Sequence, residues 1–346
     1  MDAEKNEAAK PKMSPAIKLG DSEMFAVPAS VSQARAEALL PSKPSEGARH
    51  VLGHIDIPLR QAPNKPQEYL PHDRLEWIIT CDFCGAKVDS KVISAVFNKE
   101  WRQRFGGFMG YGKDAATGRW TFLLSRNGPT EVTATKISWR LAQDNQFDSL
   151  ELFEGRLNEA TAKLSAFGKC DIDANATAAD AVSRSGQLLK LRKQFDLHSV
   201  LKLVSETGSF DGKTVWDVLM CLGLRWGDMD CFHWENRDHE GDQAFFSVQT
   251  STPPGYFLPE HIVTGRMNPK DLVSVFSIPR SAAPVQVFRA MYRALEYCKE
   301  RLGGRITFNS GQDADAVAME KDIAIIEAGL ISHGFLPGSS DALRFF

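Results

Sequence analysis

The feature that most constrains the fold of this 346-residue chain is a sequence pattern that repeats along it. The triplet DAV stands at residues 180–182 and again at 315–317, and Gly168, after one amphipathic stretch, corresponds to Gly303, after another. These pairs lie 135 residues apart, whereas the motifs TFLLS and AFFSV correspond at an offset of 123, which predicts a longer loop in the second copy. Two diverged copies of one unit of about 120 residues fit the chain length, and chance similarity is the alternative.

Hydrophobic periodicity predicts an α+β fold for both copies. Residues 75–82 alternate polar and apolar side chains, as in a strand with one buried face, and residues 284–302 repeat apolar side chains at helical spacing. Each copy is therefore predicted to be a split βαβ-like unit, with an antiparallel sheet and helices on one face of it. The predicted organisation is a disordered linker at 1–70, the degenerate first unit at 71–194, the second unit at 195–335 and a C-terminal tail at 336–346.

The first 70 residues lack the composition of a folded unit. More than half of the 17 prolines lie within residues 1–71, alongside many Ser, Lys and Glu residues. Such a stretch buries too little apolar surface to offset the entropy lost on ordering it. One apolar island, HVLGHIDIPL at His50–Leu59, interrupts it. For so short a run a locally extended linker is favoured over docking on a folded unit.

Composition argues against several classes of function. The net charge of −3 lacks the basic excess that nucleic-acid or anionic-membrane binding requires. No run approaches the roughly 20 apolar residues of a membrane-spanning helix. We therefore expect membrane attachment only through partners or through an N-terminal helix that this sequence does not contain. Six scattered cysteines without a secretory signal indicate a reduced, cytoplasmic protein.

The densest group of potential metal ligands lies in LGLRWGDMDCFHWENRDHEGDQAFFSV, residues 222–248. If its DMDCFHWEN stretch is a strand, Met229, Cys231 and His233 face one side of the sheet and the neighbouring aromatic residues face the other. The RDHEGD stretch that follows reads as a polar, solvated hairpin turn, so its side chains do not converge with those of the strand. We therefore predict neither a metal site nor a catalytic site here.

The C-x-x-C motif of Cys81 and Cys84 has no second pair, and it ends a predicted strand instead of capping a helix. Residues three apart in a strand face opposite sides, so structural thiols are predicted in place of a redox or zinc site. The sequence also lacks a P-loop, a GxGxxG fingerprint and a GxSxG nucleophile elbow. No enzymatic activity and no cofactor are predicted.

The second copy carries an ordered series of landmarks that resembles a known family. The landmarks are GDM at residues 227–229, Phe232-His233, Phe246-Ser247, Pro254-Gly255, Phe257, Pro259-Glu260, Pro279 and Gly303-Gly304. Over roughly Phe195 to Leu330 this series resembles the C-terminal FtsZ-binding domain of the bacterial division protein ZipA. The doubled arrangement resembles ZipA-like proteins of beta-proteobacteria, although the first copy has lost most of the landmarks.

The resemblance implies a non-enzymatic cell-division protein. Members of the family hold the C-terminal tail of FtsZ in a shallow apolar trough on the open face of the sheet, so that tail is the expected partner. The expected location is the division septum, at the cytoplasmic face of the inner membrane. Carried over by position, the trough consists of His198, Met229, Cys231, Gln249, Ser251 and Val275.

Some positions depart from the family pattern, and other functions stay open. Members tend to have larger apolar groups where this chain has Ser251 and Val275, and a lysine near Pro253, so weaker tail binding is expected. The alternatives are an RNA-binding pair of split βαβ domains, another peptide-binding scaffold, and a hydrolase that uses the acidic hairpin. RNA binding would require aromatic side chains on the face of Met229, whereas strand alternation places them on the opposite face.

Overall fold

Two antiparallel sheets form the framework of the molecule. The computed structural model describes residues 38, 40, 48–60, 68–123, 125, 128–142 and 149–346. Each sheet has six strands, and every strand pair in both sheets is antiparallel. Together with the long helices, these sheets confirm the predicted α+β class.

The first sheet belongs to the N-terminal unit, residues 68–195. Its strands are β1 (Glu76–Asp82), β2 (Val88–Asp89), β3 (Met109–Asp114), β4 (Trp120–Phe122), β5 (Glu131–Arg140) and β6 (Asp171–Ala174). Its helices are α1 (Ser90–Val96), α2 (Lys99–Phe105), α3 (Leu150–Ser165) and α4 (Ala178–Phe195). The strand order is β4-β3-β5-β1-β6, and β2 pairs with β5.

The second sheet belongs to the C-terminal unit, residues 197–332. Its strands are β7 (His198–Val204), β8 (Arg225–Trp226), β9 (Phe232–Glu235), β10 (Ala244–Gln249), β11 (Asp271–Ser277) and β12 (Arg305–Phe308). The helices are α5 (Gly212–Cys221), α6 (Pro259–Val263), α7 (Pro284–Leu302), α8 (Ala316–Ser332) and, beyond the unit, α9 (Ser340–Phe345). The strand order is β12-β7-β11-β10-β9-β8.

Local sequence explains where most of these helices begin and end. Most of them follow a short polar residue whose side chain accepts a backbone N–H of the first turn, as N-cap residues do. These residues are Asp89, Asn98, Ser149, Thr177, Asp211, Asp315 and Ser339. The longest helix, α7, begins at Pro284 and ends before Gly303, whose φ of 77° is a conformation that favours glycine.

The two sheets share the arrangement of their central strands. The order β5-β1-β6 in the N-terminal unit corresponds to β11-β7-β12 in the C-terminal unit. In each unit a long helix follows one of these strands: α3 follows β5, and α7 follows β11. Phe153 on α3 and Phe288 on α7, which are 135 residues apart, are both buried. Gly168 and Gly303, also paired by that offset, both have positive φ. Descent of the two units from one duplicated ancestor stays a prediction.

The outer strands differ, and the predicted match between TFLLS and AFFSV is wrong. The AFFSV motif lies in β10, beside the central strand β11, whereas TFLLS begins in β4, an edge strand that pairs with β3. In the N-terminal unit β3 takes the place beside β5. A Cβ at Gly112 of β3 would lie 2.6 Å from Cγ1 of Val132 on β5, so the missing side chain allows this close approach.

The leading segment, residues 48–60, packs against the C-terminal unit. Leu52, Ile55 and Ile57 are buried in that unit's core, and Nη2 of Arg293 on α7 donates to the carbonyl oxygen of Leu52 at 2.7 Å. The favoured prediction of an extended linker is therefore wrong for this stretch, because its apolar side chains meet a hydrophobic surface formed more than 140 residues later in the chain. The rest of the region predicted to be disordered lies almost entirely outside the described residues.

The closing segment, residues 333–346, packs against the N-terminal unit. Phe335 and Phe345 belong to the core of that unit. The preceding helix α8 contributes Ile323 to the core of the C-terminal unit and Leu330 to the core of the N-terminal unit. Each end of the described chain is therefore packed against the unit that is more distant from it in sequence.

Candidate functional site

The second sheet has one face packed against helices and one open face. Cross-strand pairing sets the centre of the open face: Val275 on β11 lies opposite Ser247 on β10 and Val200 on β7, and Ser247 lies opposite His233 on β9. Directly paired residues of neighbouring strands point to the same side of a sheet. The four side chains are each partly exposed, so they form a continuous row across four strands that solvent reaches.

A groove of about 460 Å³ runs along this face. Its lining includes the row residues His233, Ser247 and Val275, together with His198 and Phe245. Phe245 reaches the open face because it lies two residues before Ser247 on β10, and strand alternation points both side chains to the same side. On β9 the aromatic side chains lie on the opposite face, as the sequence predicted, since Phe232 is buried in the core and Trp234 packs against that core.

His233 links the centre of the groove to its edge. One ring nitrogen, Nδ1, lies 2.8 Å from the Ser247 hydroxyl, and the other, Nε2, lies 2.8 Å from the carbonyl oxygen of Asp228. A carbonyl oxygen only accepts hydrogen bonds, so Nε2 is the donor, and in the neutral ring Nδ1 accepts from Ser247. The imidazole thereby ties the turn at residues 228–230 to the sheet.

Met229 lies on that turn, and the predicted strand alternation is wrong for it. Asp228–Asp230 form a short 3-10 turn in which Met229 has a φ of 57° and Asp230 a φ of 54°. Alternation requires extended backbone, and β9 begins only at Phe232. The Met229 side chain is nevertheless 72% exposed, which makes it an exposed apolar group at the edge of the open face.

Cys231 and Gln249 lie beside this turn. The thiol of Cys231 is buried, with Sγ 3.3 Å from the carbonyl oxygen of Met229 and 4.0 Å from Oε1 of Gln249. Burial, followed by the nearby Asp230 and Asp228, raises the pKa of Cys231 to about 11. The thiol is therefore neutral at physiological pH and contributes packing, whereas the Gln249 side chain is exposed.

Ser251, by contrast, has local hydrogen bonds beyond the end of β10. Its backbone N–H and its hydroxyl donate to the two carboxylate oxygens of Asp271, at 2.7 and 2.5 Å. Thr250 donates to the same carboxylate at 3.1 Å. This buried carboxylate anchors the chain as it leaves β10. Of the six residues predicted from the sequence, His198 and Val275 line the groove. Met229, Cys231 and Gln249 lie together at its edge. Ser251 stabilises the chain after β10 through its hydrogen bonds to Asp271.

The end of the groove next to the acidic hairpin is charged, with its charges in pairs. Asp242 accepts two hydrogen bonds from Arg280, at 2.8 and 3.1 Å. Burial favours a higher pKa for Asp242, but the hydrogen bonds and charge of Arg280 outweigh it and hold that pKa below its usual range. Glu235 lies 2.6 Å from Arg237 and 3.5 Å from Arg225. The sequence did not reveal the Asp242–Arg280 pair because its two members lie 38 residues apart in the chain.

The acidic hairpin itself is not the solvated turn that the sequence predicted. The leading segment runs beside it: the backbone of Glu240 donates to the carbonyl oxygen of Pro58 at 3.0 Å, and Leu59 pairs with His239 as an isolated bridge. His239 and Glu240 are partly buried as a result. Among the described residues no three His, Cys, Asp or Glu side chains are placed to hold a metal ion.

The C-x-x-C thiols lie in the N-terminal unit and differ in burial, because the chain turns after β1 at Cys84 and Gly85. Cys81 is buried on β1, whereas Cys84 is exposed at a turn where its φ is 52°. Burial, with a contribution from Cys170, raises the pKa of Cys81 well above its usual range. The thiolate form that redox and zinc chemistry require is therefore disfavoured at Cys81.

Comparison with known proteins identifies the unit that carries the groove. Residues 198–321 match the family model of the ZipA C-terminal FtsZ-binding domain, and this span contains every strand of the second sheet. A search of curated proteins found no match for the chain. In the described part of the chain no helix is both long and apolar enough to cross a membrane. Residues 198–321 are therefore similar to the ZipA C-terminal FtsZ-binding domain.

Proposed function

We propose that this protein is a non-enzymatic adaptor of bacterial cell division that binds the C-terminal tail of FtsZ on the open face of its C-terminal unit. The observation that carries the proposal is the coincidence of the family match with an exposed groove. The matched residues 198–321 include all strands of the second sheet, and the groove lies on the face of that sheet away from the helices. The expected place of action is the division septum, at the cytoplasmic face of the inner membrane.

The chemistry of the groove fits a short amphipathic peptide. Val275, Phe245 and the exposed Met229 offer apolar contacts, and apolar anchors supply most of the binding free energy in such recognition. The hydroxyl of Ser247 and the ring of His233 lie between them and offer hydrogen bonds. Cys231 and Gln249 support the edge that carries Met229, and His198 lies at the start of β7.

We expect the binding to be weak. The centre of the groove is lined by the short side chains of Ser247 and Val275, and the hydroxyl of Ser251 is already bonded to Asp271. Fewer buried apolar atoms mean less favourable transfer free energy on binding. The dissociation constant should be no tighter than about 10 μM, which corresponds to roughly −7 kcal/mol.

Calorimetry of the full chain with a synthetic peptide of the last 20 or so residues of the host's FtsZ tests this proposal. A saturable 1:1 isotherm that weakens when Val275 is replaced by Asp supports it, because the new carboxylate would be desolvated without a partner. The matched control is Val317→Asp, since Val317 on α8 is 66% exposed and lies away from the groove. Absence of binding at millimolar peptide, or equal binding by the Val275 variant in its folded state, would exclude this face as the binding site.

A further inference from the structure

The first sheet has a face that corresponds to the open face of the second sheet, but the part of it around Glu76 and Ile78 is covered. Glu76 and Ile78 on β1 occupy the strand positions of His198 and Val200 on β7, because β1 and β7 are the equivalent central strands and all four side chains face away from the helices. His198 is exposed and Val200 is partly exposed, whereas Glu76 and Ile78 are each 1% exposed. Something therefore covers this face in the N-terminal unit.

Part of the cover is the closing segment of the chain itself. The guanidinium of Arg344 forms an ion pair with the carboxylate of Glu76, and it also donates to the carbonyl oxygen of Leu70 at 3.3 Å. The other carboxylate oxygen of Glu76 accepts from the hydroxyl of Ser138 on β5, at 2.5 Å. The buried Tyr111 belongs to the same group. Burial raises the pKa of its phenol, Glu76 raises that pKa further, and Arg344 lowers it in part.

The buried carboxylate of Glu76 requires a cation from whatever segment covers it. A carboxylate that is 1% exposed has lost its hydration and requires a cation with satisfied hydrogen bonds in return. Arg344 supplies that cation, and it does so from α9, whereas Glu76 lies at the start of β1, 268 residues earlier. A guanidinium suits this role better than the point charge of a lysine, because its two terminal nitrogens bond the Glu76 carboxylate and the Leu70 carbonyl at the same time.

Aromatic contacts on both sides of α9 add to the docking. The ring of Phe335 stacks on that of Phe345 with centroids 4.9 Å apart, and Phe346 packs edge-on against both rings. The guanidinium of Arg74, at the entrance to β1, lies 4.0 Å from the centroid of Phe335. In addition, His72 lies 3.0 Å from the carboxylate of Asp341.

We infer that the closing segment is an internal peptide ligand of the N-terminal unit, held in cis on the face that the C-terminal unit leaves open. The chemistry that this face recognises is a short helix with an arginine next to aromatic residues, as in ALRFF. Because the closing segment occupies the face of the N-terminal unit, only the face of the C-terminal unit is free to bind another peptide. This consequence rests on the proposed function of the open face. The recognition of the closing segment itself does not depend on that function.

An exchange experiment on the full chain tests the inference. A protease site is inserted between Leu336 and Pro337, where Leu336 is 63% exposed, and the chain is cut after folding. A fluorescent peptide of residues 337–346 should then replace the cut fragment and bind saturably with one site per chain, whereas it should not bind the uncut chain. Binding to the cut chain should weaken by about tenfold or more with Arg344→Glu in the peptide or Glu76→Gln in the protein, because a buried charge loses its partner.

The matched control is a peptide with Ser340→Ala, because the exposed hydroxyl of Ser340 contacts only its neighbour Asp341, at 3.4 Å. It should bind like the unchanged peptide. The inference is overturned if the cut chain keeps its circular dichroism but does not bind the peptide, if Glu76→Gln has no effect, or if cutting unfolds the protein, since the segment would then be an integral part of the fold. Binding of the FtsZ tail to the uncut chain is measured in a separate titration. If that binding fails, the proposed function fails, but the exchange of the closing segment still tests this inference.

Discussion

At the residue scale, two left-handed backbone positions shape the edge of the open face. Met229 and Asp230 have φ values of 57° and 54°, a conformation that Gly and Asn adopt more readily than other residues do. The turn is held from both sides, by the ring of His233 on the carbonyl of Asp228 and by the N–H of Phe257 on the carbonyl of Asp230, each at 2.8 Å. A sheet-bound histidine therefore fixes the position of an exposed methionine.

Replacing Met229 should separate binding from stability. Met229→Asp should weaken binding of the FtsZ tail by about tenfold or more, because the carboxylate would be desolvated under the peptide. Met229→Asn should leave the free energy of unfolding unchanged or slightly raised, since asparagine tolerates the positive φ. Calorimetry with the tail peptide and urea unfolding measure the two effects.

Ile325→Asp is the matched control for Met229→Asp. Ile325 on α8 is 69% exposed, close to the 72% of Met229, and it lies away from the groove. It should leave tail binding unchanged. A folded Met229→Asp variant that binds as tightly as the Ile325→Asp variant would show that the peptide does not reach the turn.

The Asp242–Arg280 pair should make stability depend on pH in the acid range. The folded-state pKa of Asp242 lies below its usual range, so the pair stabilises the fold above the unfolded-state pKa of about 4 and loses that contribution as the pH falls through the lowered value. Asp242→Asn should reduce the free energy of unfolding by about 1 kcal/mol at neutral pH, less than for a fully buried pair, because the Asp242 side chain is 39% exposed.

The measurement is urea unfolding of both proteins between pH 7 and pH 3. The difference between wild type and Asp242→Asn should be constant down to about pH 5 and shrink below pH 4, since acid neutralises the aspartate only in the wild type. A difference that stays constant to pH 3 would mean that Asp242 acts through packing alone.

At the element scale, periodicity predicted strands and long helices but not all of their neighbours. The central strands and the helix stops at Gly168 and Gly303 follow from local patterns of the sequence. β3 lies beside β5, where the sequence predicted β4, and this placement involves a close contact at Gly112. The turn at Met229 is held by a hydrogen bond from His233 on β9. Such long-range contacts override local preference and leave no periodic signal.

The same reason explains which parts of the site the sequence revealed. His198 and Val275 lie on regular strands, so their place on the open face follows from alternation. Met229 lies on a turn where its φ is positive, and Ser251 donates to Asp271, 20 residues later in the chain. Positions outside regular pairing were therefore the ones that residue spacing could not place.

The leading segment should contribute measurable stability to the C-terminal unit. Ile57→Ala should lower the free energy of unfolding by about 2 kcal/mol, because a buried isoleucine loses its contacts and leaves a cavity at the surface of the core. Leu59→Ala is the control, since Leu59 is 65% exposed, and it should change stability by less than about 0.5 kcal/mol. Thermal and urea unfolding measure both. Equal small effects would mean that the segment docks without stabilising the unit.

At the scale of the whole molecule, the two units are interlocked by the ends of the chain. The leading segment packs against the C-terminal unit, the closing segment against the N-terminal unit, and α8 contributes to both cores. Arg280 completes the connection, since it pairs with Asp242 at the charged end of the groove and donates to the carbonyl oxygen of Leu343 on α9 at 2.9 Å. The stability of the N-terminal unit should therefore depend on residues at the far end of the sequence.

Hydrogen exchange tests this dependence. Phe345→Ala should lower the protection of the amides of β1 and β5, because Phe345 is 7% exposed within the core of the N-terminal unit and its loss removes the ring that stacks on Phe335. Phe346 and Arg74 still contact Phe335 in this variant, so the loss is partial. Amides of β7 and β11 should change less, since Phe345 is not part of their core. Leu336→Ala, at an exposed position of the same segment, should change neither set. Protection of β1 that is the same in both variants would show that the N-terminal unit is stable without the closing segment's aromatic cluster.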